Sequence, residues 1–169
     1  MRFASFNWPE VLAHIVDIAI AYLLVLPIGW DREQSERSAG IRTFPLVAVA
    51  SCGVVLVAIR VLGVSSPEQS RVLQGLITGI GFIGGGAILK YGTAVRGTAT
   101  AASIWNVGVV GAAVGYGLYD IGLVLSLINF LTLRWLPRPP QELEAGKEPD
   151  QSTRSAETPD KDGPAVNAG

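Results

Sequence analysis

Apolar residues come in long uninterrupted runs rather than at helical or alternating spacing, and short polar turns punctuate them. Crossing the hydrocarbon core of a bilayer takes about 20 mostly apolar residues at 1.5 Å per residue. Five windows meet that condition, at about 11–30, 45–64, 72–89, 98–116 and 118–136. Trp8 and Trp30 stand at the two ends of the first, where interfacial aromatics belong. Pro45 opens the second at an early helical position that tolerates proline. A soluble bundle is a poor alternative, because five helices apolar all round cannot all be central. The pattern predicts an all-α, polytopic membrane helical bundle of about five transmembrane helices over residues 1–136. A polar cytoplasmic tail follows over 137–169, rich in Pro, Glu, Ser and Asp, with too little apolar surface to order itself.

Composition sharpens this picture. Only 16% of the chain is charged, and the last 33 residues hold 11 of the 27 charged side chains. A soluble domain needs about a quarter. The net charge of −1 gives no basic footprint for nucleic acid. The single cysteine, Cys52, excludes a disulfide framework and reads as a small packed side chain. The first apolar run carries His14 and Asp17 and lacks a small-residue cleavage site, so it is expected to be a retained helix rather than a secretory signal. Orientation comes from the basic residues. With the N-terminus outside, Arg32, Arg37, Arg42, Lys90, Arg96, Arg134 and the tail's four basic residues fall inside, against Arg2, Arg60 and Arg71 outside. That bias predicts N-out, C-in.

Four groups of residues carry candidate chemistry. Twelve glycines lie among the 43 residues from Gly75 to Gly117. Gly75–Gly79, Gly81–Gly85 and Gly111–Gly115 are small-x3-small patterns that let membrane helices approach closely, here the third and fourth spans or a second subunit. Alternatively, Gly84-Gly85-Gly86 breaks the third helix and turns backbone dipoles toward a ligand or ion. The second group is the cytoplasmic charged cluster of Asp31, Arg32, Glu33, Arg42 and Arg96. Within it Arg32–Glu36 and Glu33–Arg37 are spaced for i,i+4 pairing, and Gly40 permits a sharp return. The third is the start of the fourth span, where Thr98 or Thr100 can cap the helix and Ser103 follows. That helix start beside Arg96 suits an anion, or a carboxylate such as Asp31 or Glu33. The fourth is intramembrane and polar. Glu10, His14 and Asp17 share one stripe of the first helix, and Asp17 needs a partner, with Asn106 and Asn129 as candidates. That stripe serves either a buried hydrogen bond or a proton or cation path. No nucleophile–base pair, P-loop or HExxH motif appears, which argues against an enzyme.

These segments resemble the MgtC/SapB family of bacterial inner-membrane proteins. The resemblance is carried by Asp31-Arg32-Glu33, by Ala39-Gly40-Ile41-Arg42-Thr43 with Leu46-Val47, and by Arg71-Val72-x-Gln74-Gly75-x2-Thr78-Gly79-Ile80-Gly81-Phe82-Ile83-Gly84. Val95-Arg96-Gly97 and Thr100-Ala101-Ala102-Ser103-Ile104-Trp105 complete it. Asp31 stands where Glu is commoner, Gly85 where Ala is usual, and Thr98-Ala99 replaces Leu-Thr. The polar tail stands in place of the ACT-like cytoplasmic module of longer members, which points to a short form. The resemblance implies a multi-pass protein of the bacterial cell inner membrane, linked to magnesium homeostasis, growth at low magnesium and, in pathogens, virulence. It further implies a regulator that contacts another membrane protein, with the ATP synthase as a suggested partner, or a homo-oligomer. The alternative is a transporter or channel for a cation (Mg²⁺, H⁺) or small anion. No cofactor is expected. Direct Mg²⁺ binding by Asp31, Glu33 and Glu36 is a weak option, because three carboxylates interleaved with arginines make a poor octahedral site.

Overall fold

The computed structural model describes residues 7–33, 40–91 and 94–136. Five helices run in sequence: α1 Trp8–Glu33, α2 Thr43–Leu62, α3 Gln69–Gly86, α4 Thr98–Gly115 and α5 Tyr119–Trp135. The helical expectation holds with one addition. A two-stranded antiparallel hairpin, β1 Leu89–Tyr91 and β2 Ala94–Arg96, joins α3 to α4, with Lys90 opposite Val95. The helix ends at Gly86, so of the three residues 87–89 that the hydropathy window had assigned to the third span, Ala87 and Ile88 form the turn after α3 and Leu89 opens the hairpin. The third helix begins instead at Gln69, because Pro67 sets the turn before it and the Gln69 side chain is buried there. The pairs Arg32–Glu36 and Glu33–Arg37, and the tail 137–169, lie outside the described residues.

Helix α4 is the axis of the bundle. It touches all four other helices, most extensively α2, and most of its length from Thr100 to Gly115 is buried. Its small residues make this possible, since Gly108, Gly111, Ala112, Ala113 and Gly115 leave room for neighbours on every side. Around it the core is built from Val25, Ile28, Phe44, Ala48, Ile80, Ile104, Val107 and Val110. Polar side chains lock one end. The Gln69 amide donates to the Gly63 carbonyl at 2.9 Å, and Tyr116 Oη donates to Gln69 Oε1 at 2.9 Å, tying the ends of α2, α3 and α4 together. At the same end Arg60 of α2 meets Glu10 of α1 at 2.9 Å. Between α4 and α5 the chain turns at Gly117 with φ 75°, so the two are separate helices rather than one broken one.

Three helices, α1, α2 and α4, are long and apolar enough to cross a membrane. Of the other two, α3 opens on Gln69-Ser70-Arg71 and α5 has 17 residues with Asp120 and Arg134 near its ends. The outer surface agrees with a lipid solvent. Phe82 is 86% exposed, and Leu46, Val57, Val61, Leu123 and Trp135 are exposed with it. A water-soluble monomer rarely presents so much contiguous apolar surface.

Candidate functional site

The charged end of the bundle starts from the last turn of α1. Arg32 is only 4% exposed, an expensive place for a guanidinium and one held only by compensating polar groups. Next to it, Asp31 Oδ1 lies 3.8 Å from Arg134 Nη1 of α5, with the arginine largely in the open. A pair that long and that exposed contributes at most about 1 kcal/mol. Glu33 does something more local. Its Oε2 accepts the backbone N–H of Ile41 at 3.1 Å, fastening the chain's return into α2. Gly40 stands against that carboxylate, and a Cβ there would overlap Glu33 Oε2. Thus Asp31 and Glu33 brace α1 against α5 and the α2 entry respectively. Arg42 points elsewhere, into a groove between α2 and α3. Arg96 closes the hairpin opposite Leu89 and so stays at the same end.

At the start of α4 the expected threonine cap is not found. Gly97 is the capping residue, at φ 88°, and supplies no side-chain cap. The corner is too tight for a Cβ, which would fall 2.0 Å from the Ala87 carbonyl oxygen, so glycine occupies the position a threonine would need. Thr100 is fully buried, its hydroxyl without a hydrogen-bond partner. Ser103 Oγ lies 2.8 Å from the Ala99 carbonyl and 3.0 Å from Asn129 Oδ1 on α5, and Asn129 Nδ2 donates to Asn106 Oδ1 at 3.4 Å.

That network corrects the partner expected for Asp17. Asn106 and Asn129 bond each other, while Asp17 Oδ1 accepts the hydroxyl of Tyr119 at 2.6 Å. The reason is axial distance. Asp17 is level with the first turn of α5, and Asn129 stands ten residues farther along, about 15 Å away along the helix. The ionisable stripe of α1 is also divided among separate partners: Glu10 pairs with Arg60, His14 is exposed, and Asp17 bonds Tyr119.

The glycines separate into two sets. Those of α4 are packed against protein. A Cβ at Gly111 would fall 2.0 Å from the Ala48 carbonyl oxygen and 2.8 Å from its Cα, and one at Gly115 would meet Val55 and the Cys52 carbonyl under 3.0 Å. Gly108 receives the Ile80 side chain, and Gly84 rests on the Ala101 carbonyl, its Cβ position 3.1 Å away. On α3, by contrast, Gly75, Gly79, Gly81, Gly85 and Gly86 have no atom of the described residues within 4 Å of a Cβ. Nor does Gly84-Gly85-Gly86 break the helix. It forms the last turn of α3, closed by the Ala87 N–H on the Gly84 and Gly85 carbonyls.

The sequence pattern of the MgtC family matches residues 18–140. The chain belongs to the MgtC family. Among curated relatives, it is 38% identical to protein SrpB of Synechococcus elongatus over 72% of this chain and 73% of SrpB. It is 40% identical to protein MgtC of Brucella abortus over 71% of this chain and 50% of that protein. A 30% identical relative in Escherichia coli K12 bears the name "Putative magnesium transporter YhiD", with 70% of this chain and 58% of that one covered. The chain therefore spans about half the length of the Brucella protein. No solved structure gives a significant match.

In this MgtC-family membrane protein, several polar contacts were not legible beforehand. Tyr116, Tyr119, Gln69, Arg134 and Ser126 (whose hydroxyl bonds the Leu24 carbonyl across the α1–α5 contact) all act between helices far apart in sequence. The one available signal was the pair of tyrosines flanking the Gly117 turn, positioned to reach neighbouring helices at that end. Among the described residues no cluster of three His, Cys, Asp or Glu could hold a metal ion. Of the three carboxylates considered for Mg²⁺, Glu36 lies outside the described residues, and Asp31 and Glu33 are engaged as above.

Proposed function

We propose that this chain is a non-enzymatic, multi-pass inner-membrane regulator linked to magnesium homeostasis, which acts by seating a helix of another membrane protein against α3. The observation that carries the reading is the open glycine face of α3. Along one stripe, at i, i+4, i+7 and i+11, stand Gln74, Thr78, Gly81 and Gly85, all exposed. Thr78 returns its hydroxyl to the Gln74 carbonyl at 2.8 Å, so that hydroxyl is satisfied within the helix. In lipid, helices associate through close backbone approach over such small residues. All five helices span the bilayer, and the end bearing Arg32, Arg42, Lys90, Arg96 and Arg134 faces the cytoplasm by the positive-inside rule. The magnesium link draws on the family and on the name of the Escherichia coli relative.

The test is Gly81→Leu in the full chain. It should insert normally, lose its co-purifying membrane protein, and fail to support growth at low magnesium. Normal binding and growth would refute the reading. A second reading, ion transport, is favoured by half-buried Asp17 and by the relative's name. Flux in reconstituted liposomes that disappears in Asp17→Asn would select transport over regulation.

A further inference from the structure

Alongside that stripe, α3 has a second open side. Between α2 and α3 runs a groove of about 800 Å³, floored by Gly75 and Gly79 and walled by Leu46, Val54, Leu76 and Ile80 among others. Its volume is within the range of sites that hold small molecules, about 300–1,000 Å³. Along α2 it extends from Arg42 to Val54, 12 residues or about 18 Å. One leaflet of hydrocarbon is about 15 Å thick, half of a ~30 Å core.

The charges at the two ends of the groove differ. Arg71, at one end, is already bonded to Glu68 at 2.9 Å. Arg42, at the other end with Thr43, is exposed and has no ion-pair partner among the described residues, and no carboxylate lines the groove. The complementary ligand is thus a molecule about one leaflet long, apolar along its body, with a single anionic head. From this charge pattern we infer that the α2–α3 groove seats an acyl chain of an anionic phospholipid, whose phosphate is held by the Arg42 guanidinium and the Thr43 hydroxyl. A guanidinium meets a phosphate through paired, charge-assisted hydrogen bonds, which a zwitterionic head with its own ammonium satisfies less well. A helix of another protein would have to bring a carboxylate to that one end.

The inference rests on the chain lying in a bilayer and not on the partner contact at Gly81. The experiment is native mass spectrometry of the full chain in mild detergent, offered equal amounts of phosphatidylglycerol and phosphatidylcholine. One phosphatidylglycerol should be retained with about tenfold preference, the factor one charge-assisted hydrogen bond supplies. Arg42→Gln should bring the two lipids to parity while Arg71→Gln leaves the preference intact. Filling the groove with Ala50→Leu or, from the other wall, Gly79→Leu should abolish retention of either lipid. Equal retention by the unaltered chain, an Arg42→Gln variant that still prefers phosphatidylglycerol, or undiminished retention in a correctly folded groove-filled variant would each overturn the assignment. Lost lipid preference in Arg42→Gln with partner binding intact separates this site from the one at Gly81.

Discussion

Gly111→Ala is the smallest change that tests how the bundle is held. It adds one methyl group at the contact between α4 and α2, where that carbon would sit 2.0 Å from the Ala48 carbonyl oxygen and 2.8 Å from the Ala48 carbonyl carbon and Cα. All three obstacles are backbone, so no rotamer change relieves them. An ordinary contact is 3.4 Å or more, so α2 and α4 must move apart by more than an ångström along the largest helix contact among the described residues. Loosening a packed contact by that much costs about 1–3 kcal/mol. The intrinsic preference of alanine over glycine in a helix works the other way, by about 0.8–1.0 kcal/mol in water. The clash outweighs it over most of that range, and Gly111→Ala should lose up to about 2 kcal/mol. Gly75→Ala meets nothing within 4 Å and keeps only the propensity gain, so it should be neutral or slightly stabilising. The assay is reversible unfolding in mixed detergent micelles, followed by helical circular dichroism. Equal stability of the two variants would refute the claim that α4 is seated by backbone contact with α2.

Gly108→Ala should be destabilising as well, but partly curable. The nearest atom in its way is Ile80 Cδ1, which Ile80→Val removes, and pairing the two should recover part of the loss in the same unfolding assay. Tyr119→Phe removes the one hydrogen bond seen for Asp17 and should cost about 0.6 kcal/mol, the usual worth of an interhelical hydrogen bond in a membrane, up to ~1.7. Asn129→Ala, which unties both Ser103 and Asn106, should cost more than Tyr119→Phe, and an equal or smaller loss would count against the network.

The helices were legible because each apolar run is long enough for a full helix and ends at a polar or glycine-bearing turn, and every run the sequence offered became one helix. The hairpin was not, because its six strand residues include apolar Leu89, Ala94 and Val95 and merge with the end of the third run. What distinguishes them is Gly97, whose left-handed backbone and contact with Ala87 turn the chain into α4, and a single glycine among twelve does not announce its conformation. The charged residues of the candidate site were recognisable as a group, since loops at one end of a bundle must share that end. Their pairings were not. Asp31 reaches Arg134 and Glu33 reaches the Ile41 amide through helix rotations that no spacing records.

In the two glycine-rich helices, identical motifs have opposite fates. Gly111 and Gly115 of α4 satisfy the small-x3-small pattern by admitting α2, and the fold itself accounts for them. Gly75 and Gly79, and Gly81 and Gly85, satisfy it on α3 and admit nothing from the described residues. A glycine facing open lipid gains no contact and still costs helix stability. The fold therefore supplies no reason for four such residues in 11 positions of an 18-residue helix. A lipid and a partner helix, as proposed above, account for them from outside α3, and the angular positions of the glycines divide them between these two. Gly75 and Gly79 share their side with the groove and Arg42, whereas Gly81 and Gly85 share theirs with Gln74 and Thr78. A leucine at position 79 and a leucine at position 81 should accordingly produce separable defects, one in lipid retention and one in partner binding. If both variants lost the same property to the same degree, α3 would have one outside neighbour and not two.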